Sequence, residues 1–292
     1  MHPDLVGAKG GVCPQCGMPL ELTTAPQLSK PADKRLRQTI EAKIHTEEPL
    51  AVGKPVKVWL SLRDKITGEA ITLEKLREVH TQKIHLLIID PSLSDYHHEH
   101  PTPVTPESGD YVFTFTPSKP GPYRLWADLQ PWSTNLQEYA VADISAASAG
   151  EPVVESPPKL QADVDGLRFE LTLSPPEIPA LQVIRGTVRI YDREGKPFGE
   201  LEPIMGTYAH LVGFYADRKN VVHIHPGGKP PLLTTDRGGP ELHFQFGANR
   251  PGLIRLFCQV QVNGASIFAP FNVIVTDPAT KPQTIALPSP NE

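Results

Sequence analysis

The chain has 292 residues, a length that by itself suggests about two domains, with 39% hydrophobic and 21% charged residues. A net charge of −5 leaves no electrostatic footprint for nucleic acid or for an anionic membrane surface. No apolar run reaches the roughly 18 residues of a membrane span, and the 33 prolines favour short strands and loops over long helices.

Residues 1–24 hold "MHPDLVGAKGGVCPQCGMPL", with two of the three cysteines. The opening lacks the apolar segment of a signal peptide. Cys13 and Cys16 form a C-x-x-C, and a turn between two such thiolates brings both sulfurs to one side of a metal ion. Gly17 lets the backbone fold back, Met18 offers a thioether and His2 an imidazole. This soft donor set suits copper first and zinc second. A thioredoxin-like redox pair is the other reading, but it needs a βαβ context that the sequence does not offer.

Residues 35–146 read as strands: "QTIEAKIHT", "KPVKVWLSLRD", "KIHLLIID", "GDYVFTFTP", "GPYRLWADLQ" and "QEYAVADIS" alternate or run apolar between turn residues. "TLEKLREVH", from Thr72, has room for one turn of helix. Residues 147–158 are small and proline-rich and read as a linker. Residues 159–278 repeat the strand pattern, and residues 279–292 read as a tail.

The two strand-rich segments are an internal repeat. His85, His98, His100 and Pro101 recur as His210, His223, His225 and Pro226, always 125 residues later. "FTFTPSKPGPYRLWADLQ" matches "FQFGANRPGLIRLFCQVQ" at an offset of 131. The fold expected is all-β: two tandem Ig-like antiparallel β-sandwiches preceded by a small metal-binding knuckle. A lipocalin-type barrel is the alternative, and it would need longer, more regular hairpins.

Within each frame the histidines share a face. His98 and His100 are two apart, so on a strand both point the same way. A hairpin turning near Leu93 sets His85 opposite His100, at the spacing of facing residues. Three imidazoles then converge with an open position for a further ligand. The same count applies to His210, His223 and His225. His80 can join the first cluster, where the second copy has Met205. Asp128 and Gln259 hold equivalent places as partners for imidazole N–H groups. The competing reading is that each histidine pins a loop through a main-chain carbonyl, with no ion. Cys258 alternates away from this face and reads as a small core residue.

The knuckle, on Met1-His2-Pro3 and Cys13-Pro14-Gln15-Cys16-Gly17-Met18-Pro19-Leu20, resembles the small heavy-metal-binding domain at the start of some copper-transporting ATPases and efflux adaptors. It departs from that pattern in lacking the Cys-Pro that would precede Met1. The whole arrangement resembles a bacterial extracytoplasmic family with this motif followed by two repeats containing His-x-His-Pro, matched here by His98 to Pro101 and His223 to Pro226. The resemblance implies a periplasmic or otherwise extracytoplasmic location. It also implies copper handling, as a sink or carrier, with a metal-transport or chaperone protein as partner.

No nucleotide-binding or nucleophile motif is present. A hydrolytic metalloenzyme would need a general base beside the histidines, and only Glu99 in the first copy qualifies. The expectation is therefore a binding protein and not an enzyme. The alternative function is a protein-interaction module displaying Tyr96, Trp126 and Trp132, with structural histidines.

Overall fold

The computed structural model describes residues 38–277 apart from 147–149, 154–156, 175, 177, 225 and 226, and it leaves the side chain of His223 undescribed. The cysteine knuckle, with His2, Cys13, Cys16 and Met18, lies outside the described residues.

The first repeat runs through β1 (Ile40–Thr46), β2 (Val56–Asp64), β3 (Ile84–Ile89), β4 (Tyr96–Glu99), β5 (Thr102–Pro103), β6 (Asp110–Phe115), β7 (Tyr123–Leu129) and β8 (Glu138–Ile144). Its two sheets have strand orders β1-β2-β6-β5 and β4-β3-β7-β8. The second repeat runs through β9 (Gln161–Val164), β10 (Leu167–Ser174), β11 (Ile178–Pro179), β12 (Val183–Tyr191), β13 (His210–Tyr215), β14 (Val221–Ile224), β15 (Glu241–Gly247), β16 (Gly252–Val262) and β17 (Ala265–Thr276). Its sheets are β15-β12-β10-β9 and β11-β17-β16-β13-β14. Pairing is antiparallel except between β11 and β17. Each repeat is an Ig-like β-sandwich. The helix turn expected after Thr72 is a single 3-10 turn, Leu73–Lys75. Among the described residues no helix is long and apolar enough to cross a membrane.

Alternation explains most strands. In β10, "LRFELTLS" buries Leu167, Phe169, Leu171 and Leu173 and leaves the residues between them to solvent or partly covered. Strands β3 and β13 depart from this rule, for every residue of "IHLLII" and "HLVGFY" is buried. An antiparallel sheet normally has one wet face, so burial on both faces means that something covers the outer one. Here the cover is the other repeat.

Ile84, Leu86 and Ile88 fill the core of the first sandwich, and Leu211 fills that of the second. The alternate residues form a third apolar cluster between the sandwiches: Leu87, Ile89, Leu93, Tyr96 and Trp126 meet Val212, Phe214, Val221 and Phe257. Tyr96 packs its ring against Phe214 at 5.2 Å and Phe257 at 5.1 Å. Leu87 corresponds to Val212, Ile89 to Phe214 and Trp126 to Phe257 by the repeat offsets, so like faces like. The joint has the self-complementary character of a two-fold interface within one chain.

Candidate metal centre between the repeats

The register of the first hairpin is held by its turn. The Asp90 carboxylate, itself 1% exposed, accepts from the backbone N–H groups of Ser92 (2.8 Å), Ser94 (2.7 Å) and Asp95 (2.8 Å). Leu93 takes a positive φ of 53° at the tip, and its side chain drops into the interface cluster. The pairing that results sets Leu87 opposite His98 and Leu86 opposite Glu99. The same register continued by one residue sets His100 beside His85.

The side chains meet as that register requires. His85 Nδ1 lies 3.2 Å from His98 Nε2 and 3.1 Å from His100 Nε2. All three ligand nitrogens lie within 4.8 Å of one another. Two ligands of a tetrahedral zinc-like ion, each about 2.0–2.1 Å from it, sit roughly 3.3 Å apart. The observed contacts have that spacing.

The tautomers sharpen the point. His85 Nε2 is 2.9 Å from the carbonyl oxygen of Val79, so this nitrogen carries the proton and donates it. His98 Nδ1 is 2.8 Å from Oε1 of Gln259 and donates likewise, while Gln259 Nε2 donates to Ser266 Oγ at 3.2 Å. The remaining atoms, His85 Nδ1 and His98 Nε2, both present lone pairs across 3.2 Å. Two acceptors do not bond to each other. A cation or a proton between them turns this contact from repulsive to attractive.

More imidazoles surround the three. The His80 ring centroid lies 6.4 Å from that of His85 and 5.3 Å from that of His210, and His98 and His210 are 6.0 Å apart. His80 is carried on a tight turn, Val79 to Gln82, in which both central residues have positive φ: 51° at His80 and 64° at Thr81. Such a conformation is strained for a β-branched residue. The matching turn of the second repeat uses Met205 (49°) and Gly206 (77°). The two turns touch, since a Cβ on Gly206 would lie 3.8 Å from Thr81 Cγ2. Met205 itself is half-buried.

Burial holds His80, His85 and His100 below the ordinary imidazole pKa, and the Asp128 carboxylate pulls the other way at His80 and His85. Asp128 is buried on β7 directly opposite His85 and accepts from Gln137 Nε2 at 2.8 Å with both oxygens. The pocket therefore offers neutral nitrogen donors beside a carboxylate that compensates a bound positive charge.

The structure differs from the sequence expectation in three ways. Gln259 does bond an imidazole, but one belonging to the other repeat. Of the second frame, His210 turns toward His80 and His98 of the first. His223 has its Cα opposite Val212, and His225 lies outside the described residues. Tyr96 and Trp126, expected on the surface, are 6% and 2% exposed, because the second sandwich covers them. Trp132 is exposed, with Arg77 stacked 4.6 Å over its ring. Cys258 is buried in the second core, where burial pushes its thiol up to about 12. Val222 and Ile224 also fill that core. Their first-repeat counterparts differ: His97 lies 3.1 Å from Asp95, and burial raises the Glu99 carboxyl.

Sequence reasoning missed the joint between the repeats, while its competing reading, an imidazole tied to a main-chain carbonyl, is met by His85 at Val79. The signal for the joint was present, in two uninterrupted apolar strand cores where alternation was due.

The family described as a domain of unknown function, DUF8832, matches residues 37–144 and again residues 162–277. No curated protein matches the chain. Among solved structures, the chain is similar to FdeC, an Escherichia coli adhesin, at 16% identity and a TM-score of 0.25, over 80% of this chain and 64% of that one. It is similar to invasin, a bacterial integrin-binding protein, at 13% identity and 0.25, over 82% and 39%. It is also similar to the D0-D1 domain of intimin, at 12% and 0.22, over 80% and 97%. The chain thus spans less than two thirds of the length of the first two, and likeness at this level carries no argument about activity.

Proposed function

The chain belongs to the DUF8832 family, with two copies of its domain in tandem, and we propose that it is a metal-binding protein that holds a transition-metal ion in the histidine cluster where those copies meet. The observation that carries this reading is the convergence of His85 Nδ1, His98 Nε2 and His100 Nε2 within 4.8 Å of one another. Imidazole donors suit copper and zinc. The thioether and thiolates of the knuckle favour copper, and so the role is a sink or carrier of copper, with zinc second. An extracytoplasmic setting follows from the resemblance of the knuckle and frames, and a metal-transport or chaperone protein is the partner it implies. The role is binding: Glu99 lies on the sheet face opposite His98 and His100, so the three imidazoles gain no general base from it.

The test uses the full chain carrying Cys13→Ser and Cys16→Ser, so that the knuckle contributes nothing. Titration calorimetry with Cu(II) and with Zn(II) should find one site tighter than micromolar. That site should vanish in His85→Ala and in His98→Ala. Absence of binding in the parent, or binding indifferent to both substitutions, overturns the reading.

A protein-interaction module is the second reading. It is favoured by exposed apolar side chains on the second repeat, Leu232 at 89% and Leu233 at 64%, and by Trp132 at 58% on the first. It would stand alone if the calorimetry showed no metal uptake.

A further inference from the structure

We infer that the ion is held by both repeats at once, with His210 of the second sandwich as the fourth donor to His85, His98 and His100 of the first. This rests on the metal-binding reading above and names the ligand set and its mechanical consequence.

Four imidazoles around one tetrahedral ion have ring centroids about 5 Å apart, given metal–nitrogen bonds of about 2.0–2.1 Å. Within the first frame the centroids are 5.4, 5.0 and 5.0 Å apart for His85–His98, His85–His100 and His98–His100. His210 lies 6.0 Å from His98 by the same measure. His210 stands outside the three nitrogens that already lie within 4.8 Å of one another, so it completes the set by rotating its side chain inward to another rotamer. His210 heads β13, and its backbone pairs with Gln259 on β16. Gln259 is the residue that fixes the His98 tautomer from across the joint. Paired residues of the second repeat thus meet the same first-repeat imidazole, Gln259 by orienting it and His210 by packing its ring against it.

Among the described residues His80 is the rival for the fourth position. Its ring is 6.4 Å from His85, farther than His210 is from His98, and its strained turn places it edge-on to His210 at 5.3 Å. His80 is therefore a neighbour that packs edge-on against His210.

The consequence is a clamp. An ion with ligands on both sandwiches binds the docked arrangement and not the separated one, so metal uptake stabilises docking by mass action. The Cu and Zn stoichiometry of the cluster is one per chain, in place of one per repeat.

The experiment is X-ray absorption spectroscopy on the zinc-loaded full chain carrying Cys13→Ser and Cys16→Ser, together with hydrogen exchange with and without zinc. Four imidazoles per zinc and slowed exchange in β13 and β16 are expected. His210→Ala should lower the count to three and weaken binding at least tenfold, since a ligand contributes no less than the outer partners whose loss costs about 10–100-fold. His80→Ala should leave the count at four. His210→Gln keeps most of the side-chain volume and serves if the alanine variant does not fold. Three imidazoles in the parent, or a count that falls with His80→Ala and not with His210→Ala, overturns the shared site while leaving the three-histidine reading intact. Loss of all binding to the parent chain would instead remove the reading itself.

Discussion

His98 on β4 donates its Nδ1 proton to Gln259 on β16, 161 residues away in the chain, over 2.8 Å. One hydrogen bond thereby links the two repeats and decides which nitrogen of His98 faces His85. The orientation of a ligand in one domain is set by a side chain of the other.

Replacing that acceptor tests the link. Gln259→Leu keeps the volume and removes the acceptor, so His98 loses the partner that holds its Nε2 toward the cluster. Zinc affinity should fall about tenfold or more, while the thermal midpoint of the metal-free protein moves by only a few degrees. Calorimetry and a melting curve on the same sample check both parts.

The apolar joint should make the two sandwiches unfold together. Phe257 packs on Tyr96 at 5.1 Å and is 3% exposed. Phe257→Ala should cost about 3–5 kcal/mol and split a single denaturant transition into two. A single, unshifted transition would show that the joint contributes little.

The turn carrying His80 stores strain that its counterpart avoids. Thr81 has φ of 64° where the second repeat has Gly206. Thr81→Gly should relieve about 1–3 kcal/mol of strain and lose up to about 1 kcal/mol to the freer unfolded chain. A net gain of about 1 kcal/mol in chemical denaturation is expected.

Asp95, next to Tyr96 in the chain, supplies a pH dependence of its own. Burial opposes its ionisation, but hydrogen bonds from His97, from the Tyr123 hydroxyl and from the Ser118 N–H (2.6 Å) outweigh burial and hold the carboxyl well below its usual range. The unfolded chain, with a value near 3.9, binds the proton more readily. The stabilisation is therefore full above about pH 4 and is lost as pH falls below it toward the folded value. Asp95→Asn should be less stable than the parent by about 1–3 kcal/mol at pH 7, with the gap narrowing by pH 3. Equal stability at pH 7 would count against this account.

The knuckle is independent of the sandwiches in the sequence. Cys13→Ala with Cys16→Ala should remove one Cu(I) per chain and leave the far-ultraviolet circular dichroism unchanged. A loss of β signal would make the knuckle part of the fold.

Much of this was legible in the order of residues. Turn residues between short apolar runs announced two sandwiches, and the constant offset of 125 announced a repeat. Strand alternation, with a hairpin turning at Leu93, was enough to bring His85, His98 and His100 together, because the pleat has a period of two and the turn sets the register. What could not be read was the meeting of the two sandwiches. Periodicity shows which face of a strand is apolar, and it does not show what covers that face. Tyr96 and Trp126 therefore looked like surface aromatics, and His210 looked like the start of a second cluster. Docking of one sheet on the other, driven by apolar area contributed by both repeats, buried the aromatics and turned His210 and Gln259 toward the first repeat's histidines. Strand-local chemistry was set by the sequence; the sharing of the site was decided only by packing between residues far apart in the chain.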